Sequence, residues 1–137
     1  MCADYQALAG RRVLVVDDSP AITSLMKEVF ASCGASVSVA NDGRQAMLRI
    51  QLEPYDLVLL DLKMPAPDGW QVLRFMRRVR SELVGRTILL TGDRYGQDTL
   101  RGIDTAALPA VYKPFDVSRL REVACDVLSA DRPLYAA

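Results

Sequence analysis

The sequence predicts an α/β protein: a three-layer, doubly wound (βα)5 unit with a parallel five-stranded sheet and helices on both faces. Two observations carry this. Five short aliphatic runs alternate with stretches of helical periodicity. One of those runs, residues 55–60 (YDLVLL), is apolar on both sides apart from Asp56, as a strand covered by helices on both faces should be.

The elements follow in order. Val13-Leu14-Val15-Val16 is β-branched and bounded by Asp17-Asp18, so it reads as the first strand. Ser19-Pro20 opens a helix, with Pro where its missing N–H costs nothing. Ile22, Leu25, Met26, Val29, Phe30 and Cys33 then line one helical face, which Gly34 stops. Val37 and Val39 mark a second strand, and Asn41-Asp42-Gly43 a turn. Ala46, Met47 and Ile50 give a shorter helix ended by Pro54, before the third strand at 55–60. After the loop from Asp61 to Gly69, a third helix carries Val72, Phe75, Met76 and Val79. Thr87–Leu90 is a fourth strand, residues 95–104 a weak fourth helix, and Ala110–Tyr112 a short fifth strand. Asp116 caps a last helix whose inward face is Val117, Leu120, Val123, Ala124, Val127 and Leu128. The domain is expected over residues 11–130, with 1–10 a loose N-terminal extension and 131–137 a loose tail.

Composition narrows the chemistry. At 137 residues the chain has the length of one domain. Its 17 cations balance 17 anions, so nothing global points to nucleic acid or an anionic membrane. Histidine is absent, which removes His catalysis, His metal sites and a phosphohistidine on this chain. Cys2, Cys33 and Cys125 are odd in number and far apart. They read as reduced thiols of a cytoplasmic protein. No apolar run approaches a membrane span. Arg74, Arg77, Arg78 and Arg80 crowd the third helix and read as its solvated face in preference to a basic docking patch.

In a doubly wound sheet, ligands sit beyond the carboxyl ends of the strands. There this chain presents Asp17-Asp18, Asp61, Thr91 and Lys113. Each alone has a plain explanation as a cap, turn or surface residue. Together they would put three carboxylates on one rim, repelling by about 3–4 kcal/mol per pair at an effective dielectric near 20. One lysine is too little counter-charge, and a hard divalent cation with oxygen ligands, Mg²⁺, is the natural remainder. Carboxylate, Mg²⁺, ammonium and hydroxyl together suit phosphoryl transfer.

At these residues the sequence resembles the receiver domains of bacterial response regulators. The matching motifs are VLVVDD (13–18), DLKMPAPDG (61–69), LLTG (89–92) and KPF (113–115), in the family's order and spacing over residues 11–130. The resemblance implies a flavodoxin-like sheet of strand order 2-1-3-4-5. It also implies phosphorylation on Asp61, with Asp18, Asp61 and the Lys63 backbone carbonyl on Mg²⁺ and Asp17 acting through water. Thr91 would donate to the phosphoryl group and Lys113 pair with it, and Lys113–Pro114 would be cis. The donor would be a phosphohistidine on a sensor histidine kinase or histidine phosphotransfer protein. Output would pass through the fourth helix, fifth strand and last helix to a downstream protein target or fused output domain, with room for a phosphorylation-dependent dimer. Neither direct nucleic-acid contact nor a membrane is implied.

The chain departs from the family at Ala110, where an aromatic is usual, and Tyr112 is expected on the opposite face of that strand. Lys63 and Asp93 flank the expected pocket and could pair as a gate against water, or remain two solvated side chains. Three other readings compete. A haloacid-dehalogenase-like phosphatase needs a second Asp where Lys63 stands; a flavodoxin-like cofactor binder needs a phosphate loop where Asp17-Asp18 stands. A degenerate receiver that only binds proteins would not need the five polar groups intact.

Overall fold

The structure, a computed structural model, describes residues 6–92, 108–114 and 116–129. The expected weak helix at 95–104, Phe115 and the tail at 131–137 lie outside the described residues. In chain order the elements are β1 (Arg12–Val16), α1 (Pro20–Ser32), β2 (Ser36–Ala40), α2 (Gly43–Leu52), β3 (Leu57–Asp61), α3 (Gly69–Val79), α4 (Ser81–Val84), β4 (Thr87–Thr91), β5 (Ala110–Tyr112) and α5 (Val117–Ser129). All strand pairings are parallel and the order is β2-β1-β3-β4-β5. This is the doubly wound, flavodoxin-like order expected from the sequence.

Strand alternation divides the interior between two helix layers. Leu14, Val16, Val58, Leu60 and Leu89 face α2 and α3. Val13, Val15, Leu57, Leu59 and Ile88 face α1 and α5. Both β1 and β3 are therefore apolar on both faces, and Asp61 closes β3 as its only acid. Among the described residues no helix is long and apolar enough to cross a membrane.

Local chemistry sets the helix ends. Ser19 caps α1, accepting from the Ile22 amide at 3.4 Å, with Pro20 in its first turn. Gly34, at φ +88°, ends α1 in the left-handed region that favours glycine. A reciprocal capping box opens α3: Asp68 accepts from the Gln71 amide at 2.9 Å, and the Gln71 side chain accepts from the Asp68 amide at 2.8 Å. Asp68→Ala is expected to cost about 1 kcal/mol, read as a lower urea midpoint at unchanged slope. Asp116 accepts from the Ser118 amide at 2.8 Å where α5 begins.

Several expectations are corrected. Leu8, in the segment expected to hang loose, is fully buried in the core cluster that also holds side chains of α1 and α5. Leu25 and Val79, counted with the apolar residues of their helices, are 41% and 45% exposed, while Thr23 and Leu73 are buried. Helix α4 was not expected; its Leu83 and Val84 fill the layer against α3. Tyr112 does not oppose Ala110: residues two apart in a strand share a face, and both are exposed on either side of buried Val111.

Candidate functional site

Sheet register assembles the polar residues. Val16 pairs with Leu60, so the next residues along, Asp17 and Asp61, emerge side by side. This is the β1/β3 boundary where the strand order reverses and a crevice opens. Asp61 pairs with Leu90, which brings Thr91 one residue beyond it, and Thr91 pairs with Tyr112, which brings Lys113 next. The Lys113 amide donates to the Thr91 carbonyl at 2.7 Å. The Lys113–Pro114 peptide is cis, as is Ala66–Pro67.

Carboxylate oxygens of Asp17, Asp18 and Asp61 lie within 4.8 Å of one another. Asp17 is fully buried and Asp61 is 3% exposed, while Asp18 is open to solvent. The Lys113 ammonium stands 2.9 Å from Asp17 Oδ2 and 3.5 Å from Asp61 Oδ1. The Ser19 amide donates to Asp17 Oδ1 at 2.9 Å and the Lys63 amide to Asp61 Oδ1 at 3.2 Å. Thr91, 9% exposed, closes the rim at the end of β4.

Burial and a neighbouring carboxylate both work against the charged form of Asp61. Burial and then the charge of Asp17 raise the Asp61 carboxyl from 3.8 to about 6, against the pull of Lys113 and the Lys63 amide. Burial works to lower Lys113, but its hydrogen bond to Asp17 and the charges of Asp61 and Asp17 hold it above its ordinary value. The donor set is oxygen only, and among the described residues the Lys113 ammonium pairs with two of the three carboxylates, Asp17 and Asp61. Such a set fits a hard divalent cation such as Mg²⁺.

Asp17, Asp18, Asp61, Thr91 and Lys113 thus come together as their strand-end positions required. Of the suggested gate pair, Lys63 has an exposed side chain, and Asp93 lies outside the described residues. Pattern reading missed two glycines that shape the acceptor loop. A Cβ on Gly69 would meet the Asp61 carbonyl oxygen at 2.3 Å and Leu62 Cα at 2.6 Å. A Cβ on Gly43 would meet the Pro67 carbonyl oxygen at 2.1 Å. The only sequence signal was their place at helix starts, where glycine is not the preferred residue.

Comparison with known proteins agrees with this geometry. The family model described as response regulator receiver domain matches residues 13–124. The chain is 36% identical over 110 residues to the DNA-binding dual master transcriptional regulator RpaA of Synechocystis, covering 80% of this chain and 45% of that one. It therefore spans less than half the length of that regulator. It is 34% identical over 117 residues to sporulation initiation phosphotransferase F of Bacillus subtilis, covering 84% of this chain and 91% of that one. Among solved structures, the response regulator protein TrrA of Thermotoga maritima in complex with Mg²⁺ and beryllofluoride superposes with a TM-score of 0.74. That likeness is at 30% identity, over 85% of this chain and 98% of that one. With the strand order, the strand-end residues and these likenesses in agreement, the chain belongs to the response regulator receiver domains, the phosphoacceptor modules of two-component signalling.

Proposed function

We propose that Asp61 is the phosphoacceptor of this receiver and takes its phosphoryl group from a phosphohistidine on a sensor kinase or histidine phosphotransfer protein. The observation that carries this reading is the approach of Asp17, Asp18 and Asp61 within 4.8 Å beside the Lys113 ammonium. Asp18, Asp61 and the Lys63 carbonyl would hold Mg²⁺, with Asp17 acting through water. When bound, the ion offsets charge on the carboxylate and the incoming phosphoryl oxygens.

The chain's own groups supply the rest. Asp61 Oδ attacks phosphorus in line as the P–N bond to the donor imidazole breaks. The Lys63 amide leaves one Asp61 oxygen committed to a hydrogen bond, at 3.2 Å, and so orients the carboxylate. Lys113 lies between Asp17 and Asp61 and would pair with the transferred oxygens, while the Thr91 hydroxyl would donate to them. Water then hydrolyses the acyl phosphate, so the chain promotes its own loading and resetting and turns over no separate substrate. Movement at Thr91 reaches β5 through the Lys113 amide bond. Since Ala110 carries only a methyl, aromatic rotation there is replaced by displacement of the strand itself. The partner downstream is a protein target or an attached output domain.

Incubation with acetyl phosphate and Mg²⁺ tests the reading. Expected are a mass gain of one phosphoryl group, its absence with EDTA, and a change in the fluorescence of Trp70, which packs half-buried against the α2/α3 layer. A sizing column run on the same sample reads dimerisation. No mass gain under saturating acetyl phosphate and Mg²⁺ would remove the proposal.

A further inference from the structure

The loop that carries Lys63 runs from the end of β3 at Asp61 to the start of α3 at Gly69. Its inner end is set by Gly69, which touches the Asp61 backbone. Its outer side lies against a different element, the first residue of α2. Gly43 comes so near Pro67 that a Cβ would sit 2.1 Å from the Pro67 carbonyl oxygen and 3.0 Å from both its carbonyl carbon and its Cβ. Contacts that short are relieved only by movement, since the obstacle is backbone and not the end of a flexible side chain.

Helix α2 is poorly placed to give way. At its other end the Arg80 guanidinium, from the end of α3, donates to the Ile50 carbonyl at 3.2 Å and the Gln51 carbonyl at 3.3 Å. Between these ends Ala46 and Ile50 are fully buried in the layer shared with α3. Dense packing there resists sliding. The loop is the softer partner: Pro65 and Ala66 are exposed.

We propose that Gly43 is a positioning residue of the phosphoacceptor site: its bare Cα lets the loop close to where Lys63 presents its backbone to Asp61 and to the cation. A side chain at 43 has to push Pro67 outward from 2.1 Å to ordinary contact, which begins at 3.4 Å. Lys63, four residues back along the same loop, moves with it. Its amide bond to Asp61 at 3.2 Å has little length to spare. The idea rests on the cation-binding reading above.

The test compares wild type, Gly43→Ala and Asp42→Ala. Asp42 caps the same helix, accepting from the Gln45 amide at 2.8 Å, so its loss weakens α2 without adding an atom against Pro67. Two readouts are taken. Mg²⁺ affinity is read from Trp70 fluorescence, and amide hydrogen exchange of Lys63 is read in metal-free protein. Gly43→Ala is expected to weaken Mg²⁺ binding about tenfold, the usual scale for losing support around a ligand. Exchange at Lys63 should quicken by a similar factor. Asp42→Ala should leave both within about twofold of wild type. If Gly43→Ala folds poorly, the comparison is made in trimethylamine N-oxide, which restores the folded population. Unchanged values in Gly43→Ala, or equal changes in Asp42→Ala, overturn the proposal. A wild-type chain that bound no Mg²⁺ would defeat the reading of the preceding section, yet exchange at Lys63 would still decide the role of Gly43.

Discussion

Asp61→Asn is expected to abolish phosphoryl uptake from acetyl phosphate and, in the absence of metal, to make the fold more stable at pH 7.5. The first effect is loss of the nucleophile, a drop of at least about three orders of magnitude in loading rate. The second follows from the raised carboxyl. Folded Asp61 titrates at about 6 against an ordinary 3.8, so it holds its proton more tightly when folded. Its contribution to stability is therefore complete below about pH 4 and is lost as pH rises through about 6. The rise from 3.8 to about 6 corresponds to an upper bound of about 3 kcal/mol. Asparagine resembles the protonated form at every pH, so the variant should lead the parent by about 1–3 kcal/mol at pH 7.5. The lead should shrink towards pH 4, and urea unfolding of both proteins across that range would show it. A variant less stable than the parent at pH 7.5, or one still loaded by acetyl phosphate, would contradict this account.

Lys113→Met is expected to act in the opposite direction. It leaves fully buried Asp17 and nearly buried Asp61 without the ammonium that lies 2.9 and 3.5 Å from them. Breaking a buried pair by removing one partner costs about 3–5 kcal/mol. The Lys113 side chain is 27% exposed, so a loss of about 2–4 kcal/mol in metal-free protein is the reasonable scale. Lys113 is held above its ordinary value, so this contribution is fully present at pH 7.5. Without it the Asp61 carboxyl should rise further, visible as an upward shift of its side-chain carbon titration. Millimolar Mg²⁺ should recover part of the lost stability, because the cation replaces the missing charge. A loss below about 0.5 kcal/mol would mean that water already screens these carboxylates.

Where the sequence was legible, one local pattern was enough. Runs such as Val13–Val16 announce strands covered on both faces, and parallel sheets expose their carboxyl ends on one side. That alone gathers Asp17, Asp61, Thr91 and Lys113 without any knowledge of contacts. Legibility failed where a residue's fate depends on something remote. Leu8 is buried in a cluster with side chains from α1 and α5, which are distant in sequence, and on α1 it is Thr23 and not Leu25 that lies inside. Gly43 and Pro67 are 24 positions apart, and neither carries a mark of the other. Tyr112 is a different kind of miss: the two-residue repeat already placed it with Ala110, and the expectation had misapplied that rule.

The hydrogen bond from the Lys113 amide to the Thr91 carbonyl, at 2.7 Å, has a consequence for where the sheet can yield. It joins the two residues that would grip a phosphoryl group to β5, the shortest of the described strands and a terminal one. The β1–β3 centre is stiff, being sandwiched by side chains on either side. A tug on this seam is thus felt first at the margin, where a three-residue strand is held by one neighbouring strand, and the acid-bearing strands can stay still while the rim reports.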